Sequence, residues 1–429
     1  MYTLRDRVRQ RAALNAAAPR CDRRRFLKLS AAATLSATGA MAGRAGPRAA
    51  TRADAAGGRW DSTVVKLFLC GDVMTGRGID QILPHPGKRE LYEPYIRDAH
   101  DYVVLAERAS GPLARPVAFD YVWGDALEAL QRSQPDGRIV NLETAVTRSD
   151  EYWPGKGINY RMAPGNVPCL SAARIDCCVL ANNHVLDWGY AGLAETLHVL
   201  HRASIRTVGA GAERSQAQQP AMLATRAGGH VIVFAFGVVS SGIPSLWAAA
   251  TARPGVNLLR DFSPAVVRAI GAGVAAVKRR GDVVVASIHW GGNWGYEVSE
   301  SQRRFARQLI DDAGVDLVHG HSSHHPKGIE LYRGRLILYG CGDFLNDYEG
   351  IGGHERYRGD LSLMYLPEID TATGRLARLR MVPFQVRQLR LRYASRRDAN
   401  WLTATLRRES NVAVELGDDN LLVVRGDAG

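Results

Sequence analysis

The chain has 429 residues, 46% of them hydrophobic, which is enough for one large α/β domain or two smaller ones. Its formal net charge of +12 is unevenly spread. Residues 1–60 hold 13 Arg and Lys against 3 Asp, so the remainder is near neutral and lacks the basic face of a nucleic-acid binder.

The basic start reads as a targeting segment. Arg23 and Arg24 precede Phe26-Leu27-Lys28, and an Ala-rich, weakly apolar run and small-residue sites follow. The pattern resembles a twin-arginine export signal, with Asp22 where Ser or Thr is usual. The run over 29–43 is too short to span a ~30 Å hydrocarbon core, which takes about 20 apolar residues. A periplasmic or cell-surface location is therefore expected, with membrane association through an uncleaved signal as an alternative and a basic tail as the bland reading. The six cysteines form no C-x-x-C pair, which argues against a zinc ribbon. Burial as small apolar residues suits them.

From residue 61 short apolar runs alternate with helical patterns. "VVKLFLCGD" (64–72), "RIVNLET" (138–144) and "DCCVLANNH" (176–184) read as strands, and "GYAGLAETLHVLHRAS" as a helix opened by Gly189. "HVIVFAFGVV", "DVVVASIHW" and "VDLVHGH" are further strands. The helices between them start at Ser263-Pro264 and at Ser299 or Ser301, and stop near Gly281 and Gly314. "GIELYRGRLILYGCGDF" is a hairpin turning at Arg333-Gly334. The stretch 84–125 reads as an insertion able to wall or cover a site. Residues 371–429 read as strands and a helix completing a domain that starts at 61. The whole implies a layered α/β protein with mixed sheets.

The polar motifs fall at the carboxyl ends of these strands. Asp72 ends the first, Glu143 the second, Asn182, Asn183 and His184 the third; His289 ends a later one, and His319 and His321 another. Ligands bind at this edge of α/β sheets. Carboxylates, an amide carbonyl and imidazoles suit Mn, Fe or Zn and need no thiolate. Bland readings stand beside these. Asp72 is also a plausible turn residue, Asn182 a turn cap, and Asp187 a group that orients a histidine or caps a helix. His319, two residues before His321, suits a supporting place behind the ligands. His325 suits solvent or substrate equally. Arg77 is either an anion clamp or a surface arginine. Asp343, Asn346 and Glu349 either line the pocket or cap loops.

Six ordered motifs, "GDVMTGR", "NLETAVT", "ANNHVLDWG", "IHWGGNWGYE", "GHSSHHPKGIE" and "ILYGCGDFLNDYEG", closely resemble the CapA family of capsule and poly-γ-glutamate synthesis proteins. The resemblance runs from about residue 64 to 370. It implies a metallophosphoesterase-like α-β-β-α sandwich with one or two divalent ions. By it, Asp72, Glu143, Asn183, His289, His321 and His324 are the implied metal ligands, Glu143 standing at the bridging position. His184 is the implied proton donor or transition-state support. Arg77, Asn182, Asp187, His319, His325, Asp343 and Asn346 are expected in substrate contact or behind the ligands. The departures are specific. The family of folds has Asp-x-His where this chain has Asp72-Val73-Met74, and Gly-Asp-x-x-Asp where it has Asn141-Leu142-Glu143. One metal position thus loses an imidazole.

The resemblance implies work in capsule or poly-γ-glutamate synthesis and export, beside a membrane-bound polyglutamate synthetase, on an anionic polymer or phosphoester. Arg77, Lys156, Arg161 and Lys327 are cationic candidates for such a substrate. A metal-dependent extracytoplasmic phosphoesterase or amide hydrolase unrelated to capsule, and a non-catalytic polyanion-binding subunit, are the competing expectations.

Overall fold

The computed structural model describes residues 63–426; the export-type segment lies outside the described residues. Two mixed sheets carry the fold. The first is built on β1 (Val64–Val73), β2 (Gly137–Leu142), β3 (Cys177–Val179) and β4 (Arg206–Val208), all parallel. The second runs through β5 (Ala221–Ala224), β6 (His230–Gly237), β7 (Val283–His289), β8 (Leu317–His321), β9 (Ile329–Tyr332) and β10 (Arg335–Leu338). Its order is β9-β10-β8-β7-β6-β5, parallel in the middle and antiparallel at both edges.

Period-two alternation decides which face of each strand meets what. Val65, Leu67 and Leu69 of β1 share one apolar cluster with Val231 and Val233 of β6 and Val283 and Val285 of β7, so the two sheets pack face to face. Phe68 and Cys70, on the opposite face of β1, join a second cluster with the helices His100–Ser110, Ala126–Ser133 and Gly189–Arg202. The outer face of the second sheet is covered by the helices Pro264–Val277 and Glu300–Asp312 through Val267, Ile270, Phe305 and Leu309. The expected mixed α/β class is observed.

After β10 the chain crosses to the first sheet. β11 (Asp343–Leu345) pairs parallel with β1, and β12 (Leu361–Asp370) antiparallel on the same strand. β13 (Leu376–Val386) pairs with β12, and the strand Leu422–Arg425 with β13. The helix Arg396–Glu409 sends Leu402 and Leu406 into the core between the sheets.

Several boundaries differ from the sequence reading, each for a local reason. β3 stops at Val179, so Asn182 to His184 lie in a turn and not in a continuing strand. There the Asn182 Oδ1 accepts from the backbone N–H groups of His184 and Val185 at 3.1 and 3.0 Å, replacing ladder hydrogen bonds. The helix after Ser263 ends at Val277, four residues before Gly281. Ser299, and not Ser301, makes the capping box with Gln302. The insertion is not all loop: His100–Ser110 is helical. The Arg333-Gly334 turn is observed, with φ of 53° and 74°. The described cysteines, Cys70, Cys169, Cys177, Cys178 and Cys341, are free and buried. Among the described residues no helix is long and apolar enough to cross a membrane.

Candidate metal centre

Strand register assembles the centre. Pairing of β1 with β2 sets Asp72 beside Asn141, and pairing with β11 sets Asp72 beside Asp343. In the second sheet β7 and β8 set His289 beside His321. Face-to-face packing then brings both edges together: His321 Nδ1 lies 3.8 Å from Asp72 Oδ1. The close approach of β11 to β1 needs Gly71, where a Cβ would fall 1.5 Å from the Gly342 carbonyl oxygen.

Two groups of ligand-type atoms result, and Asp72 belongs to both. One is Asp72, His289 and His321; the other is Asp72, His324 and Asp343. All five residues are buried. His289 Nδ1 and His321 Nδ1 are 2.8 Å apart, one ring donating to the other, and His289 Nε2 meets Asn183 Oδ1 at 2.9 Å. His324 Nδ1 meets Asp343 Oδ1 at 2.9 Å. Glu143 flanks the first group, with Oε1 3.8 Å from His289 Nε2 and 3.6 Å from His184 Nε2.

The electrostatics of this cluster are unresolved by its own side chains. Among the described residues, Asp72, Glu143 and Asp343 find only histidines within ion-pair range. Burial, then repulsion from Asp343, pushes the Asp72 carboxyl up to about 7. Burial and the nearby Asp72 carboxylate hold Glu143 well above the usual carboxylate range. Burial drives His289 and His321 well below the ordinary imidazole value, so both are neutral with a lone pair available. Burial also opposes charge on His324, but the Asp343 carboxylate outweighs it and raises that pKa. Crowded buried carboxylates facing neutral imidazoles are the donor set that a divalent cation would satisfy. The residues present fit such an ion.

The remaining predicted residues take distinct places. His184 Nδ1 meets Asp187 Oδ2 at 2.6 Å and Lys156 Nζ at 2.9 Å, and burial lowers its pKa to about 4. Asp187 thus orients that histidine, and its Oδ2 also accepts from the Tyr160 N–H. Asn182 is fully buried and holds the turn, its Nδ2 donating to Asn141 Oδ1 at 3.0 Å. His319 sits behind the cluster between Ser287 Oγ at 3.0 Å and the Cys70 carbonyl at 2.7 Å. Asn346 donates to Asp343 Oδ2 at 2.9 Å. His325 stacks on Tyr357 and accepts from the Gly295 N–H, away from both groups.

Arg77 does not offer its charge to an open pocket. It is buried, donating to Asp347, to Glu93 Oε1 at 2.9 Å and to Tyr102 Oη at 2.9 Å, with the Tyr102 ring 3.8 Å away. This ties the insertion to the segment after β11. Arg161 is likewise engaged, by the Ser149 carbonyl, Asp150 and the Trp188 face. Lys327 donates to the Glu297 carbonyl.

Two participants escaped the sequence reading. Asn141 Nδ2 donates to Asp72 Oδ1 at 2.7 Å and lies 3.5 Å from both Glu143 and His289. Ser287 Oγ bridges His319 and His321. Each stands two residues before a predicted ligand on the same strand face, a period-two relation that would have pointed to them. Asp343, expected only to line the pocket or support it, shares a ligand-type group with Asp72 and His324. Met74, where the related motif has histidine, is buried and meets Tyr348 Oη through sulfur.

A family model described as "Bacterial capsule synthesis protein PGA_cap" matches residues 66–348. A "Probable polyglutamine synthesis accessory protein" of Mycobacterium tuberculosis is 50% identical over 365 residues, covering 84% of this chain and 96% of the relative. The "PGA biosynthesis protein CapA" of Bacillus subtilis is 27% identical over 289 residues, 67% of this chain and 65% of the relative. The "Capsule biosynthesis protein CapA" of Bacillus anthracis is 24% identical, covering 66% of this chain and 59% of the relative. On this match, which takes in the strand ends that build the centre, the chain belongs to the bacterial capsule synthesis protein family PGA_cap.

Proposed function

We propose that this protein is an exported accessory hydrolase of capsule or polyglutamate synthesis, working through a divalent metal centre on a metallophosphoesterase-type sandwich. The observation that carries the reading is the pair of carboxylate–imidazole groups sharing buried Asp72. Asp72, His289 and His321 would hold one ion, with Glu143 and Asn183 beside them. Asp72, His324 and Asp343 would hold a second, Asp343 making up for the imidazole absent at Met74. When bound, such an ion polarises a carbonyl or phosphoryl oxygen and acidifies water.

The chain's own groups supply the rest. Asn141 orients Asp72 through a 2.7 Å hydrogen bond. Asp187 and Lys156 hold the His184 ring from its Nδ1 side, leaving Nε2 turned toward Glu143. That nitrogen would steady charge developing at a leaving group. The relatives' names carry polyglutamine, PGA and capsule synthesis, which supports work as an accessory to polymer synthesis; the anionic polymer as substrate and the membrane-bound synthetase as partner rest on the motif resemblance. The basic segment with Arg23 and Arg24 supports export.

Metal content of protein purified without chelators tests the centre, with cleavage of poly-γ-glutamate and of a generic phosphoester in added Mn²⁺ as the activity readout. We expect bound divalent metal and cleavage of one of these; His289→Ala should lose the cleavage and the ion of its own group. Absence of metal together with absence of cleavage overturns the reading. Replacing Arg23 and Arg24 by Lys tests export: the protein should then stay in the cytoplasm.

A further inference from the structure

Beside the metal centre lies a cleft of unusual charge. Its cavity, about 450 Å³, is lined by Arg214, Arg253 and Arg260 and by no carboxylate. Among the described residues none of the three arginines is in an ion pair. Arg253 and Arg214 instead lean on backbone carbonyls of one wall, Arg253 on Ala248 at 2.9 Å and Arg214 on Ala249 at 3.5 Å. Arg253 also keeps a buried Nε without a hydrogen-bond partner. The adjacent acids lie outside the lining. Glu213 accepts from Ser215 Oγ, and Asp261, whose charge neighbours Arg260, accepts from the Ser263 N–H. Guanidinium groups gathered in a cleft without lining carboxylates are a recognition surface for planar anions.

The cleft is joined to the centre. Val239 and Ser245 line it. The same segment reaches the ligand strands: the Val238 N–H donates to the His289 carbonyl at 3.0 Å, and Ser240 Oγ accepts from the Gly291 N–H. A Cβ at Gly242 would lie 3.6 Å from Asn183 Nδ2. The far wall follows β6, since Gly237 bonds Asn257 and Leu259 through the backbone and pairs with His289.

We propose that Arg214, Arg253 and Arg260 form a second binding site that takes successive carboxylates of a polycarboxylate chain and leads it toward Asn183 and His289. The proposal rests on the reading of the centre as acting on an anionic polymer, and names where the rest of that polymer lies. Repeating carboxylates on a flexible chain match several separate guanidinium groups, whereas a single small acid engages one.

The test uses full-length protein and fluorescently labelled poly-γ-glutamate, with binding followed by anisotropy. Each arginine replaced by alanine should weaken binding about tenfold, and binding should fall as salt rises. Monomeric glutamate should fail to compete at equal carboxylate concentration. The Arg214→Ala/Arg253→Ala/Arg260→Ala protein should keep its metal content and thermal midpoint. Exposed Arg260→Glu serves as the independent variant if the triple change impairs folding, and it should lose binding too. Unchanged affinity in Arg260→Glu, or salt-independent binding, overturns the proposal. So does inorganic polyphosphate binding as tightly as the polycarboxylate, which would make the cleft a phosphate-polymer site. His289→Ala separates the two readings. Polymer binding retained there without cleavage supports the cleft by itself, and polymer binding lost there overturns it.

Discussion

Asp72 is the residue on which the centre turns. It shares register with Asn141 and Asp343 and lies across the sheet interface from His321. Asp72→Asn should therefore strip metal from both groups, whereas Asp343→Asn should leave one ion bound. Metal-to-protein ratios after dialysis distinguish the two outcomes. Asn141 is a support of a different kind. Its loss takes one hydrogen bond from Asp72, which keeps the Ser322 N–H, and one from the buried Asn182 amide, which keeps the Leu142 carbonyl. We expect Asn141→Ala to cost about 1–3 kcal/mol in denaturant unfolding. The residue types of Asp72, His289 and His321 announced their chemistry in the sequence. Asn141 and Ser287 did not, because an amide and a hydroxyl have many bland uses and only their neighbours give them a role. Arg77 shows the reverse. It looked like a clamp for an anion, but acids distant in sequence, Glu93 and Asp347, neutralise it.

The elements were legible where periodicity is strong. β1 and β7 are mostly apolar runs, as expected of strands buried on both faces. A cap at Ser299 or Ser301 was legible in "SESQ" and the structure puts it at Ser299; Ser299→Ala should cost about 1 kcal/mol of stability with metal binding unchanged. β3 was read too long because "VLANNH" is apolar up to Ala181. The side chain of Asn182 captures the backbone there, a competition that propensity alone does not settle. Gly71 joins elements that are far apart in the chain. Gly71→Ala would force β11 away from β1, and a loss of about 3 kcal/mol is expected from urea unfolding. Asp343 would move with β11, so the metal-to-protein ratio should fall as well.

At the scale of the molecule, buried ionisable groups make stability depend on pH and metal together. Burial holds His184, His319 and His325 at about 4, and His289 and His321 well below their ordinary value. The unfolded chain takes up protons on these five below about 6.5 while the fold does not. Their effect is stability lost as pH falls from about 6.5 toward 4. Asp72 has the opposite sign: its raised pKa means that the fold loses stability from this group as pH rises from about 4 to about 7. A cation must displace that proton. The rise in thermal midpoint on adding Mn²⁺ should accordingly be larger at pH 8 than at pH 6, measured by scanning fluorimetry. An equal rise at both would show that Asp72 does not take part.

By itself the sequence determined the mixed α/β class, the strand ends that carry the chemistry, and the family motifs, because buried strands and donor residues leave local patterns. Tertiary structure alone decided that Asp72 belongs to two groups, that Asp343 joins one of them, that Arg77 is internally neutralised, and that Arg214, Arg253 and Arg260 share a cleft. Each of these depends on register, sheet packing or the meeting of segments far apart in the chain. The seventy residues between Glu143 and Arg214, for example, give no local sign that their ends flank one site. Spacing along a chain records the period of an element, but not which elements face each other, and charge compensation across that gap is settled only once they do.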